Sequence, residues 1–267
     1  MNEHVIPRPA STMVLLSDQP DLHVLTIRRS EKLEFAPGYT VFPGGVVEDS
    51  DRDRRWATMV DGLILEEANK RLEVDQDGLA YFIAAVRETI EEVGILVGVK
   101  SQHLLENRQK LEKNDVFLID LLEGKENLDL TKIHPISRRI TPAPSPRRYD
   151  TYFFVASVDT ETIPIVDGYE ATEATWARPS ELLDDWRNGS LTMISPTRSI
   201  LQRLENYPLA RDVMEVAQNK NPRQRVRIGD EWSEQVYFPE DTDYENPSLI
   251  DSLGWVWLPP FNESLRT

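Results

Sequence analysis

Four residues in one short stretch have the types and spacing for metal-assisted chemistry on a phosphate. They are Arg87, Glu88, Glu91 and Glu92, within Ala84 to Ile95. Read as a helix turning about 100° per residue, with Glu88 as zero, Glu91 falls at about −60° and Glu92 at about +40°. Leu79, Phe82, Ile83, Val86, Ile90 and Val93 cluster on the opposite side, so one face is apolar and the other carries three carboxylates. This face works against stability. Glu88 repels Glu91 and Glu92 at helical neighbour spacing, and all three sit in the last turns, where the helix dipole disfavours anions. A divalent cation reverses both penalties, because hard ions such as Mg²⁺ take carboxylate oxygens and keep waters for a phosphate. A plain solvated acidic face would show the same spacing, so a second motif has to decide.

That motif is Val41-Phe42-Pro43-Gly44-Gly45-Val46-Val47-Glu48. It reads as strand, tight turn, strand, with two glycines that let the backbone approach a ligand or metal closely. Together with Arg87-Glu88-x-x-Glu91-Glu92-x-Gly94-Ile95 it resembles the Nudix hydrolase signature, Gly-x5-Glu-x7-Arg-Glu-U-x-Glu-Glu-x-Gly-U, where U is a bulky aliphatic residue. Gly45 matches the leading glycine. Asp51 stands at the first glutamate position and Thr89 at the first aliphatic one. The 35 residues from 52 to 86 replace the seven of the pattern, an insertion of 28. In this the chain is similar to an inserted-box subset that includes coenzyme A diphosphatases.

The resemblance implies an α/β fold, an α/β/α sandwich around a mixed sheet, with a helical insertion over 52–78 and a C-terminal extension over 206–267, all in one domain spanning 1–267. It implies Mg²⁺ or Mn²⁺ held by Glu88, Glu91, Glu92 and a backbone carbonyl near Gly44 or Gly45. Arg87 would hold a carboxylate through its i,i+4 relation to Glu91. The implied reaction cleaves the diphosphate of a nucleoside diphosphate linked to another moiety. Coenzyme A or an acyl-CoA is favoured over ADP-ribose or NADH, and a ligand-sensing domain without turnover is the alternative of another class. The resemblance leaves room for a homodimer.

Further candidates lie outside the box. Arg28 and Arg29, before Gly38 to Gly45, and Arg147 and Arg148, after a loop with three prolines, are placed to meet phosphate oxygens. Each pair resembles a segment of the same subset. Asp150 is a rival, structural partner for an arginine. Glu170 lies six residues before Trp176, as does an acidic residue outside the box in several family members; Glu173 competes with it. Either could be a metal ligand or the base that deprotonates water, so the catalytic candidates are Arg87, Glu91, Glu92 and Glu170.

The elements that must position these residues follow from pattern. Thr12 to Leu16 and His23 to Arg28 read as a β-hairpin, and Gly62 to Leu72 has helical periodicity. Asp77 is the expected N-cap of the acidic helix and Gly94 its left-handed C-cap. Ile95 to Val97 is expected to start a strand, Leu104 to Leu122 to be helical, and the segment ending in Trp176 to be a strand followed by a helix from Pro179. Further helices are expected from Ser195 and Ala210. Gln224 to Ile228 and Gln235 to Pro239 suggest a hairpin packed on the main domain.

Composition narrows the classes. The chain of 267 residues has no cysteine, which excludes disulfides and thiol nucleophiles and suits a reducing compartment. No apolar run opens the chain and no stretch of 18 apolar residues occurs, so the expectation is a cytoplasmic protein without a membrane partner. A net charge of −16 argues against nucleic acid. So do residues 207–267, with six basic against eleven acidic side chains.

Overall fold

A computed structural model describes residues 5–143, 145–219, 221–229 and 235–262. Pro144 of the proline-rich loop and residues 263–267 of the extension lie outside them. The chain runs β1 (Arg8–Asp18), β2 (Leu22–Arg29), β3 (Thr40–Val41), β4 (Gly44–Val46), α1 (Trp56–Met59), β5 (Val60–Asp61), α2 (Leu65–Leu72) and α3 (Gly78–Val93). Then come α4 (His103–Glu106), α5 (Arg108–Glu112), α6 (Leu118–Leu122), β6 (Leu128–Asp129), β7 (His134–Ile140), β8 (Tyr149–Ser157) and β9 (Ala171–Ala177). The last elements are α7 (Pro179–Arg187), α8 (Ser195–Leu204), α9 (Ala210–Ala217), β10 (Gln224–Ile228), β11 (Val236–Tyr237) and β12 (Ile250–Val256).

The main sheet has the order β11-β10-β12-β7-β8-β1-β2-β3, with β4 also on β1 and β9 also on β2. It is mixed: β1 and β8 are parallel and the other pairs antiparallel. β1 is its centre, and Met13-Val14-Leu15-Leu16 is buried on both faces, as a continuous apolar run requires. Met13 and Leu15 face one core with α3, Tyr152 and Phe154. Val14 and Leu16 face a second core with Phe153 and residues of α7, α8 and α9. Helices on both faces make the α/β/α sandwich. Among the described residues no helix is long and apolar enough to cross a membrane.

The structure corrects three local expectations. Asp77 does not cap α3. It adopts left-handed backbone (φ 62°) with no side-chain cap bond, and its carboxylate pairs with Arg52 at 3.2 Å. Gly78 N–H instead donates to Asn69 Oδ1 at 2.7 Å, so α2 caps the helix from outside its own segment. Ile95 to Val97 is not a strand; Ile95 and Val97 are apolar because they are buried in the α3 core. The tail does form the β10–β11 hairpin, but β12 inserts between β10 and β7, so the tail continues the main sheet. β12 was obscured by Asp251, Ser252 and Gly254, which break the apolar alternation.

The turn at Pro43 also differs from a simple hairpin. β3 pairs with β2 and β4 with β1, so the chain crosses between diverging strands there. This opens a fork in the sheet beside the end of α3.

Candidate active site

The fork is the floor of a cleft of about 690 Å³ that Gly44, Gly45, Arg87, Glu88, Glu91 and Glu170 line. A groove of about 890 Å³ lies at the Asp18 end of β1, but half-buried and exposed residues dominate its lining and it lacks the buried acidic group.

α3 ends as its sequence requires. Gly94 takes the left-handed conformation (φ 63°), its N–H donates to Ile90 O at 3.0 Å, and Ile95 N–H donates to Thr89 O at 3.4 Å. Thr89 is tolerated at an aliphatic position because its hydroxyl donates to Ala85 O at 2.7 Å inside the core. The acidic face is not a solvent face. Glu88 is 9% exposed, Glu92 3% and Arg87 3%.

Arg87 organises the group. It donates to Asp51 through Nε and Nη2, both at 3.1 Å, to Glu88 Oε1 at 2.9 Å, to Glu91 Oε2 at 2.7 Å and to Val46 O at 2.9 Å. Asp51 is 2% exposed. Its shorter side chain reaches Arg87 because the turn that carries it also binds it, Glu48 N–H donating to its Oδ2 at 2.9 Å. Its place in the motif is legible in the sequence; this task is not.

The two glycines answer to packing. Bonds from Met13 N to Pro43 O and from Val47 N to Pro9 O bracket the Ser11–Gly45 pair, so antiparallel alternation turns Gly44 away from β1. Its N–H donates to Glu92 Oε2 at 2.7 Å. A Cβ on Gly44 would meet Ser11 O at 2.4 Å, and one on Gly45 would meet the Glu88 carboxylate at 2.3 Å.

Three acids, Asp51, Glu88 and Glu91, thus share one guanidinium, and Glu92 is buried close enough to feel the charge of Glu88. Burial pushes Glu88 up to about 7 and Glu91 up to about 8, with Arg87 only partly opposing. Glu92 is raised well above the carboxylate range by burial and by the charge of Glu88, and Asp51 is raised by burial despite Arg87. Glu88, Glu91 and Glu92 each use one oxygen in a hydrogen bond, and Glu92 Oε1 is buried with no partner. Unpaired buried anion density of this kind calls for a cation, and the hard oxygen donors fit Mg²⁺ or Mn²⁺. Among the described residues no three acidic or histidine side chains close around one point as a ready-made cage. Arg87 Nη1 bonds both Glu88 Oε1 and Glu91 Oε2, so the fit rests on their second oxygens, Glu92 Oε1 and backbone carbonyl oxygen.

Glu170 lines the cleft, and its charge acts on Glu88 and Glu92. Asp167 shapes this loop by accepting from the amides of Tyr169, Glu170 and Ala171. Glu173 lies exposed on β9 opposite Arg28 and does not line the cleft. Of the four candidate arginines, the structure brings in Arg29, which donates to Phe35 O at 3.1 Å and whose charge reaches Glu92. Arg28 is largely exposed and pairs with Glu31 at 3.5 Å. Arg147 is exposed and pairs with Glu34, and Arg148 donates to Thr141 O and Val5 O at 2.9 and 2.8 Å. None of these three lines the cleft. Asp150 pairs with Arg138, at 2.8 and 2.6 Å, rather than with either neighbour. Arg139, Phe35 and Tyr149 also line the cleft, though no motif marks them; for Arg139 the signal in the sequence is the doublet Arg138-Arg139.

The profile of the NUDT19 Nudix domain matches residues 65–204, a little over half of the chain. An acyl-coenzyme A diphosphatase NUDT19 of Xenopus laevis is 27% identical over 230 residues, covering 70% of this chain and 60% of the frog protein. The Gallus gallus protein of the same name is 24% identical over 240 residues, covering 72% of this chain and 64% of the chicken protein. The chain thus spans less than two thirds of the length of these relatives. Among solved structures, a Nudix hydrolase from Alicyclobacillus acidocaldarius superposes with a TM-score of 0.68 at 29% identity, covering 79% of this chain and 96% of that one.

Proposed function

The chain belongs to the NUDT19 Nudix domain family, and from that premise we propose that it is a divalent-metal-dependent diphosphatase acting on coenzyme A or an acyl-CoA. The products would be 3′,5′-ADP and phosphopantetheine or its acylated form. The observation that carries the metal-dependent reading is the buried, partnerless Glu92 Oε1 on the same helix end as Glu88 and Glu91, which line the cleft. The acyl-CoA diphosphatase names of the frog and chicken relatives support the substrate class. We take residues 1–267 as one acting unit, because the cleft draws on β1, α3 and the C-terminal strands alike.

Glu88, Glu91, Glu92 and the carbonyl of Gly44 are the groups that would hold Mg²⁺ or Mn²⁺. When bound, such an ion neutralises the diphosphate and makes a water more acidic. Arg87 fixes Glu88 and Glu91 through Nη1 and is itself fixed by Asp51, so the carboxylates meet the substrate already oriented. Gly44 N–H sets the rotation of Glu92. Glu170, which also lines the cleft, accepts the proton of the attacking water. That water attacks one phosphorus in line, and the other phosphate leaves.

A hydrolysis screen over CoA, acyl-CoA, ADP-ribose, NADH and diadenosine polyphosphates tests both levels. Activity should vanish with EDTA and return with Mg²⁺ or Mn²⁺, with CoA or acyl-CoA giving the highest kcat/KM. Full turnover by metal-stripped protein refutes the mechanism; preference for ADP-ribose or NADH refutes the substrate.

A further inference from the structure

The cleft continues across the sheet to a cation without a counterion. Arg139 on β7 lines it, and Arg139 Nη2 donates to Ser199 Oγ at 2.7 Å. Its Nη1 is buried with no hydrogen-bond partner, and among the described residues no carboxylate pairs with it. Burial, together with the charge of a second cation, Arg203, brings Arg139 down to about 9. At neutral pH Arg139 is therefore still charged. Uncompensated buried charge is unfavourable unless something outside the fold balances it.

The surroundings are built for this side chain. Gly254 faces Arg139 across β12 and β7, and a Cβ there would lie 2.0 Å from Arg139 Nη1. Gly254 has no positive φ, so the glycine answers to this close approach and not to backbone shape. On the other side the register runs Arg139–Thr151–Ala10–Val46 through β7, β8, β1 and β4. All four line the cleft. Small side chains at Thr151 and Ala10 keep the path shallow from the Gly44–Gly45 end to Arg139, three strand spacings or about 14 Å away.

We propose that Arg139 receives a second phosphate of the substrate, a phosphate monoester on the nucleoside remote from the diphosphate that is cleaved. This rests on the reading of the site as a nucleoside-diphosphate hydrolase, and for a coenzyme A substrate the group is the 3′-phosphate. Arg139 takes the role that Arg28, Arg147 and Arg148 are placed too far outside the cleft to fill, and Ser199 holds its guanidinium in position.

Calorimetric binding of 3′,5′-ADP, 2′,5′-ADP and 5′-AMP to the full metal-free chain tests this apart from catalysis. Wild type should bind 3′,5′-ADP at least about tenfold more tightly than AMP, the scale of one charge-assisted contact. Arg139→Gln should bring that ratio close to one, Arg139→Lys should keep part of it, and Ser199→Ala should lower it less than Arg139→Gln. Arg139→Gln should also melt at the same temperature or higher without ligand, because a buried unpaired charge is gone. No preference in wild type, or an undiminished one in Arg139→Gln, overturns the subsite while leaving the diphosphatase reading in place. A preference for 2′,5′-ADP that Arg139→Gln erases keeps the subsite and overturns coenzyme A as the substrate. If Arg139→Gln does not fold, the role of Arg139 is structural and the proposal fails unless Arg139→Lys and Ser199→Ala change the ratio in a folded protein.

Discussion

The end of α3 and the strand layer of β7, β12 and β10 both bury charge, and they balance it differently. There Asp51, Glu88 and Glu91 share Arg87 at the end of α3, and Glu92 keeps one oxygen unpaired. In the strand layer the cations lie on aromatic faces. Arg225 stacks on Trp255 at 4.4 Å, Arg223 on Trp257 at 4.8 Å, and Arg138 between Tyr152 and Trp255 at 5.0 and 5.8 Å. Acidic partners complete several of them: Asp150 for Arg138, Glu73 for Arg223, Asp251 for Arg227. A charge balanced inside the fold stabilises it; a charge left over is available to something that arrives. By that criterion Arg139 belongs with the acids of α3 and not with the arginines beside it.

The sharpest way to break the contrast is Glu92→Gln, which keeps the shape and removes an unbalanced charge. Turnover should fall by at least about 10²-fold, the scale of losing a group that stabilises the transition state. Melting temperature without metal should stay equal or rise as repulsion on α3 is relieved. Normal turnover with a large loss of stability would make Glu92 a structural residue and erase the distinction.

The two regions should also answer pH in opposite directions. Glu88 and Glu91 have folded values raised from 4.5 to about 7 and about 8. Their contribution is fully present below about pH 4.5 and is lost as pH rises through 7 to 8. Burial depresses His134 on β7 from 6.5 to about 4, so its contribution is present above 6.5 and is lost as pH falls through 4. Two carboxyls outweigh one histidine, so metal-free protein should lose stability as pH rises from about 4.5 to 8, with His134 opposing the loss up to about pH 6.5. Denaturant melts from pH 4 to 9 measure this. His134→Gln should steepen the loss below about pH 6.5 alone, and Mg²⁺ should flatten the loss toward pH 8. A pH profile that His134→Gln leaves unchanged would refute the contrast.

The smallest effect belongs to the balanced side. Arg138→Met removes a bidentate ion pair and two ring contacts and should lower stability by about 1–2 kcal/mol. Because Arg138 lies off the cleft, kcat/KM per folded molecule should not change by more than about twofold. A larger catalytic loss would mean that the strand layer couples to the site.

What the sequence disclosed follows from how local each signal is. Arg87, Glu88, Glu91 and Glu92 lie within two helical turns, and Gly44 and Gly45 within one turn, so spacing alone brought them out. The sandwich was legible because β1 and α3 carry strong periodic patterns. Arg139 was not, because its meaning depends on Gly254, 115 positions later, and on a register that no short window contains. Arg28, Arg147 and Arg148 carried the right charge, but direction is not written in composition, and Glu31, Glu34 and two backbone carbonyls hold them elsewhere. Asp77 misled because a capping residue type stood at the right place while Asn69, eight residues earlier, made the bond.

The ion pair between Arg52 and Asp77 has a consequence for how this box can vary in evolution. Arg52 directly follows Asp51, and Asp77 directly precedes α3, so the excursion leaves and rejoins the chain at two residues that touch. Arg52 is also anchored to Val47 O and Glu48 O at 3.3 and 3.0 Å, which fixes the point of departure. Inserted sequence between such fixed points changes the circumference of a closed loop without moving its gate. Each doubling of that loop adds only about 0.6 kcal/mol of closure entropy. The distance between Asp51 and Arg87 is thereby insulated from the number of residues separating them. Lineages could lengthen, shorten or re-sculpt the excursion as a rim for new substrates while the chemistry beneath it stays in register.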